Sequence, residues 1–298
     1  MLSYLPLHRA IVTTLLAVAT LMAARALEYP HRNAEPQPTG WPLTAEERAY
    51  VVGKPEHDRR PGRESNQHLP QFWPVVPSAG HWGGSTWLDT HAKLVEHVKG
   101  NAGACDVLLV GDSITQQWGS PLDGGVRNGA WNRHFPKLRT LNLGIGGDKT
   151  QNVLWRLDHG GVEGLKPKVI VLMIGNNNMF FTAETGIEAA ARGVEMCVRN
   201  LREKFPETPV IAAKILPAHA PGNRFYEDIR KTNLALDPLL LDRDPQVHVL
   251  DLWHDFTNAD GTVKATLFNP DRIHLSPAGY SVYAGRLKPL LDRLLATP

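Results

Sequence analysis

Val107-Leu108-Leu109-Val110-Gly111-Asp112-Ser113-Ile114-Thr115 decides how this chain is read. The unbroken apolar run fits a strand buried on both faces of a parallel sheet. Gly111 lets the chain turn sharply, and Ser113 lands where a helix would begin. A hydroxyl there stands at the positive end of a helix dipole, beside backbone N–H groups without intrahelical partners. That setting suits a nucleophile whose reaction creates an oxyanion. It equally suits an ordinary N-capping serine, so the neighbouring segments have to decide.

Outward from this stretch, strands and helices alternate. Thr86 to Lys99 carries Leu94, Val95 and Val98 at helical spacing, ahead of the strand at Val107–Val110. A second strand is predicted over Leu138–Leu143 and runs into Gly144-Ile145-Gly146-Gly147. Asp148 and Gln151 then read as a capping box for a helix carrying Val153, Leu154 and Leu157. Val169–Ile174 reads as a central strand. Ile187, Ala191, Val194, Val198 and Leu201 mark one face of a long helix. A strand at Val210–Leu216, a helix at Ile229–Leu241 and a fifth strand at Val247–Leu252 follow. Ser276 caps a last helix, with Pro277 at its first position. The alternation predicts one α/β sandwich around a parallel sheet.

The 298 residues, 42% of them hydrophobic, are enough for one large domain with its own core. The 32 basic and 30 acidic side chains nearly balance and form no basic stripe, which argues against a nucleic-acid partner. Residues 1–26 have the pattern of an export signal: Arg9, an apolar run from Ala10 to Ala23, and Ala24-Arg25-Ala26 as a cleavage site before Leu27. An uncleaved membrane anchor is the competing reading; on either, the rest works outside the cytoplasm, secreted or periplasmic. Residues 27–80 are rich in Pro, Arg, His and Gly, with Trp41, Phe72 and Trp73 as anchors, and read as an irregular extension. The domain is expected over 81–298, starting near Trp82. Cys105, ahead of the first strand, and Cys197, on a helix's apolar face, read as small buried hydrophobes. Whether they are bridged stays open at this stage.

Four polar clusters fall where an open parallel sheet binds its ligands, beyond strand ends and in late loops. They are Ser113, Gly146-Gly147, Asn176-Asn177-Asn178, and the Asp271–His274 loop before the final helix. Ser113 needs a base, and a histidine can take its proton and return it to a leaving group. Asp271 can orient His274 and stabilise its imidazolium. The N–H groups of Ser113 and Gly147 and the side-chain amide of Asn177 can surround a developing oxyanion. Each cluster also has an ordinary reading: a tight strand–helix turn, a capped loop, a surface ion pair. His254-Asp255 is a rival pair after a strand. His57, His68, His81, His91 and His97 show no ligand spacing, so neither a metal nor another cofactor is called for.

Together these pieces resemble the SGNH (GDSL-type) esterase and lipase superfamily, whose four blocks stand here in order: Gly111-Asp112-Ser113, the Gly147 turn, Gly175-x-Asn177 and Asp271-x-x-His274. One block alone would carry little weight; four in order, each at a predicted strand end or late loop, carry much. Leu141-Asn142-Leu143-Gly144-Ile145-Gly146-Gly147-Asp148, Val153-Leu154-Trp155-Arg156-Leu157 and Lys166-Pro167-Lys168-Val169-Ile170-Val171 look most like the catalytic subunits of platelet-activating-factor acetylhydrolase and their bacterial relatives. The resemblance covers about residues 86–295. It implies a flavodoxin-like three-layer α/β/α sandwich with a mostly parallel five-stranded sheet. It also implies a Ser113–His274–Asp271 triad and an oxyanion hole of Ser113, Gly147 and Asn177, with Asp112 and Asn178 in support. The family spacing is what selects His274 over His254. Ile114 replaces the family's leucine, and Asn178 an aspartate common elsewhere in the superfamily. The export signal and the extension depart from the cytosolic animal enzymes.

The expected function is that of an exported serine esterase acting on short acyl esters, acetyl foremost, of a small-molecule, glycan or lipid substrate. Trp118, Trp131, Phe180, Phe181 and Tyr226 are candidates for a glycan-binding surface, although such aromatics more often serve as core or loop anchors. Alternatives are a lysophospholipase or thioesterase for longer acyl chains, and a non-catalytic ligand-binding protein on the same scaffold. A homodimer is compatible with all of these.

Overall fold

Five strands form one all-parallel sheet in the order β2-β1-β3-β4-β5. They are β1 (Gly103–Gly111), β2 (Thr140–Gly144), β3 (Leu165–Met173), β4 (Val210–Ala213) and β5 (Val247–Leu250). The structure, a computed structural model, describes residues 87–101, 103–123, 128–182 and 186–296. The expectations for the export signal, the extension and the start at Trp82 lie outside those residues. Among the described residues, no helix is long and apolar enough to cross a membrane.

The helices are α1 (Trp87–Gly100), α2 (Ser113–Gln116), α3 (Gly129–His134), α4 (Thr150–Leu157), α5 (Ile187–Lys204), α6 (Arg224–Leu240), α7 (Trp253–Phe256) and α8 (Pro277–Ala296). Alternate strand residues point to opposite faces, and both faces are covered. Val107, Leu109, Val169, Val171 and Ile211 share one core with Trp131 of α3 and Tyr283, Leu287 and Leu291 of α8. Helices α4, α5 and α6 pack against one another in sequence order. This is the doubly wound architecture expected from the alternation and from the resemblance. Strand order reverses around β1, which lies between β2 and β3, so the loops after these three strands converge at one crevice.

Strand limits differ from the hydrophobic runs where side chains replace the ladder. The run Val210–Leu216 pairs only as far as Ala213, because the Asn233 side chain takes both the Ile215 N–H (3.0 Å) and the Ile215 carbonyl (2.7 Å). Strand β1 begins earlier than its apolar run, at Gly103, because β3 pairs with it from Leu165 onward. Cys105 therefore lies inside β1 rather than ahead of it. Cys105 and Cys197 are both buried free thiols, and burial pushes the Cys105 thiol up to about 11. The last helix starts as expected: the Ser276 hydroxyl accepts the Gly279 N–H at 3.2 Å.

Candidate active site

Ser113 follows β1 directly and opens α2, which is only four residues long. The dipole of a full helix is therefore absent, and what remains is the unpaired N–H of a single turn. Asp112 is the N-cap, its side chain accepting the Ile114 N–H at 3.0 Å. Gly111 is required by close approach: a Cβ there would meet the Met173 carbonyl at 2.1 Å and Thr115 Oγ1 at 2.2 Å. The turn is pinned from two sides. The Tyr280 hydroxyl of α8 donates to the Ile114 carbonyl at 2.7 Å, and the Asn142 amide of β2 donates to the Thr115 carbonyl at 2.8 Å.

His274 reaches this serine from a loop 161 residues away in sequence. Its Nε2 lies 2.8 Å from Ser113 Oγ, and its Nδ1 lies 2.7 Å from Asp271 Oδ2. A carboxylate only accepts, so Nδ1 carries the proton and Nε2 faces the hydroxyl as acceptor. The other Asp271 oxygen accepts the Ile273 and His274 N–H groups, each at 2.9 Å. Partial burial pushes the Asp271 carboxyl up. The Ile273 N–H, the His274 ring and the His274 N–H outweigh it and leave the group below its usual range. The loop is tightened by Arg272 in the left-handed region (φ 57°) and by an Asn269 N–H to His274 carbonyl bond of 2.8 Å. His254, the rival, is exposed on α7, and its neighbour Asp255 pairs with Arg286 at 3.1 Å.

The loops after β2 and β3 complete the crevice. Gly147 lines the cleft and has φ 81°, a left-handed conformation that glycine adopts without strain. Among the described residues neither the Ser113 nor the Gly147 N–H has a partner. Asn177 donates its side-chain amide to the Asp148 carbonyl at 2.9 Å, which leaves its second N–H available. Asn178 is buried and ties this loop to α4: it accepts the Thr150 N–H (3.1 Å) and donates to Thr150 Oγ1 (2.9 Å) and Gln151 Oε1 (3.0 Å). Gly146 is held by its N–H to Gln116 Oε1 at 2.6 Å. Ser113, Gly147, Asn177 and His274 thus line one cleft, with Asp271 on the far side of the His274 ring and Asp112 and Asn178 in the turns beneath.

Two expectations are corrected. Asp148 does not cap α4. Lys149 is the N-cap, with its N–H bonded to Asn152 Oδ1 at 2.9 Å, while the Asp148 carboxylate turns inward to Arg156 (2.8 Å) and Trp87 (2.7 Å). Burial pushes this carboxyl up to about 6, against the opposing pull of Arg156 and the Trp87 N–H. Of the aromatics assigned to a substrate surface, Trp118, Trp131 and Tyr226 are core residues. Phe180 alone is shown at the cleft, half-exposed and packed on Phe225. The Phe181 side chain lies outside the described residues.

The cleft above Ser113 and His274 holds about 1310 Å³. Thr90, Lys93, His97 and Asn101, from α1 and the turn after it, form a polar wall; Leu122, Ile145, Phe180 and Ile273 supply apolar surface. A serine, a base oriented by a carboxylate and a set of convergent N–H donors can carry out acyl transfer.

A family model for the GDSL-like lipase/acylhydrolase family matches residues 109–282. Platelet-activating factor acetylhydrolase IB subunit alpha1 of Homo sapiens is 33% identical over 214 residues, covering 72% of this chain and 86% of its own. Subunit alpha2 of Rattus norvegicus is 34% identical over 214 residues, with the same coverage. Among solved structures, a putative platelet activating factor from Streptococcus pneumonia superposes with a TM-score of 0.57 at 23% identity, over 68% of this chain and 92% of that one. The acetylxylan esterase Axe2 from Geobacillus stearothermophilus gives a TM-score of 0.50 at 18% identity, over 65% and 95%. The protein is a carboxylic ester hydrolase. Within that class the chain belongs to the GDSL-like lipase/acylhydrolase family.

Proposed function

We propose that this chain hydrolyses short acyl esters, acetyl esters foremost, through Ser113, His274 and Asp271. The unbroken path from Ser113 Oγ to His274 Nε2 (2.8 Å) and from His274 Nδ1 to Asp271 (2.7 Å) carries the reading. His274 Nε2 takes the Ser113 proton as Oγ bonds to the ester carbonyl carbon. The carbonyl oxygen becomes an oxyanion facing the Ser113 and Gly147 N–H groups and the free Asn177 N–H. Such donors act on charge that exists only in the transition state, each worth roughly 10²–10³ in turnover. Collapse of this intermediate breaks the ester bond, and His274 returns the proton to the leaving alkoxide. Water then repeats the cycle on the acyl-serine: His274 takes one of its protons, the acid leaves, and the proton returns to Oγ.

The acetyl preference is supported by the relatives named acetylhydrolase at 33–34% identity. On this reading the rest of the cleft takes the alcohol portion of the ester, glycan or lipid. The apolar surface of Leu122, Ile145, Phe180 and Ile273 favours a second reading, longer acyl chains. Hydrolysis of p-nitrophenyl acetate, butyrate and octanoate, with Ser113→Ala alongside, tests all of this. The expected result is that acetate is fastest and that Ser113→Ala removes activity while the fold persists. A faster octanoate favours the second reading, and an active Ser113→Ala overturns the nucleophile. Export is proposed on Arg9, the apolar run and Ala24-Arg25-Ala26. N-terminal sequencing should find Leu27 first; an intact residue 1–26 segment on the active enzyme refutes cleavage.

A further inference from the structure

Arg156 is an arginine on α4, a helix buried along its whole length, with only 1% of its surface exposed. An isolated guanidinium at such depth is costly, so its partners matter. Its Nε donates to Asp148 Oδ2 at 2.8 Å, and its Nη2 to the Gly111 carbonyl at 2.9 Å. Asp148, wholly buried, is held on its other oxygen by Trp87 Nε1 at 2.7 Å. The Gly111 carbonyl also accepts the Ile145 N–H, at 3.2 Å.

These contacts have a common address. Gly111 ends β1 two residues ahead of Ser113. Asp148 directly follows Gly147, and its own carbonyl is the acceptor that orients the Asn177 amide at 2.9 Å. All three donors assigned to the oxyanion hole therefore hang from the backbone at Gly111 and at Asp148; the guanidinium holds the first through the Gly111 carbonyl and the second through the Asp148 carboxylate. A buried ion pair is a poor device for stability alone, since apolar residues of similar volume often serve as well. The planar fork of an arginine is, however, suited to fixing two acceptors at a set separation, which the rotatable donors of a lysine ammonium do less rigidly.

We propose that Arg156, with Asp148 and Trp87, is the positioning device of the oxyanion hole, holding the Ser113, Gly147 and Asn177 donors in mutual register. The proposal rests on the reading of that hole given above. It adds a role for residues that never touch substrate, acting from beneath the loops after β1 and β2.

A double-mutant cycle between Arg156→Lys and Asn177→Ala, read as turnover of p-nitrophenyl acetate per phosphonate-titrated active site, tests it. Arg156→Lys should lower turnover by roughly 10- to 10²-fold, as small displacements of reacting groups do, with KM little moved. In the Asn177→Ala background the same substitution should cost less, because one of the three donors it holds in mutual register has gone. Equal losses in both backgrounds, or no loss in either, refute the positioning role while leaving the oxyanion hole standing. An Asn177→Ala enzyme with full turnover refutes the hole and the positioning role together. If Arg156→Lys does not fold, Trp87→Phe runs through the same cycle. It keeps an aromatic ring while removing the donor to Asp148 and part of the buried ring, and the same non-additivity is required of it.

Discussion

Asp112→Asn separates charge from shape directly beneath the nucleophile. Asp112 is 1% exposed and serves as the N-cap of α2. Burial pushes its carboxyl from the ordinary 3.8 up to about 7; the Ile114 N–H opposes this, and the charge on Asp148 reinforces it. Between those two pH values the unfolded chain is ionised at this position while the folded chain keeps the proton. The folded state then binds more protons, so stability falls as pH rises through this window. Below pH 3.8 the penalty is absent, and above about 7 it is complete. At about 1.36 kcal/mol per pH unit, the gap between 3.8 and about 7 amounts to about 4 kcal/mol. Asparagine caps a helix as well as aspartate does and never ionises. The variant should therefore match the parent near pH 4 and exceed it by up to about 4 kcal/mol at pH 8. Urea unfolding of both proteins at pH 4, 5.5, 7 and 8 measures the difference directly. Asp148, pushed up to about 6, titrates in both proteins, and its contribution differs between them only by its interaction with the Asp112 charge. A difference that does not grow with pH refutes the reasoning.

His274→Ala should abolish turnover as completely as Ser113→Ala, since the two act as one unit, whereas exposed His254→Ala should be mild; reversed kinetics would transfer the base to His254. Asn177→Ala should lower turnover by roughly 10²–10³ with KM little changed, and more than Asn176→Ala or Asn178→Ala does; if turnover per titrated site stays intact while the melting temperature drops, Asn177 only caps its loop. Tyr280→Phe strips the hydroxyl from the buried Ile114 carbonyl and should cost about 1–3 kcal/mol in urea unfolding, and a neutral result would mean that water replaces it.

The sheet was legible because each central strand is buried on both faces and therefore apolar without interruption. Val107–Val110 and Val169–Ile174 stand out from the sequence for that reason. Strand ends were less legible, since they depend on partners. Pairing from Gly103 requires Leu165 opposite it, and pairing stops at Ala213 because Asn233, distant in sequence, satisfies Ile215. No local pattern encodes either event. The aromatics misled for a related reason. Trp118 and Trp131 carry no local pattern that separates a cleft residue from a core anchor, and they pack edge to face at 5.2 Å in the core shared with α8. Only the placement of α8, fixed by the whole fold, decides that.

The site was legible in one half and hidden in the other, and chemistry explains the division. A nucleophile, a base and an oxyanion amide must be specific residue types at fixed offsets from strand ends. Ser113, Asn177, Asp271 and His274 therefore leave a readable spacing. The groups that hold those residues in place need only supply a donor or acceptor at the right point in space, from anywhere in the chain. Asp148 reads as a helix cap because Asp148 and Gln151 satisfy the local rule for one. Its carboxylate is claimed instead by Trp87, 61 residues earlier, and by Arg156, eight residues later. The signal that betrays this arrangement is Arg156 itself, a charge in the short helix segment Val153-Leu154-Trp155-Arg156-Leu157 that is otherwise apolar. Such a residue must be paired, and its partner is the acid that the local rule had already spent on a cap.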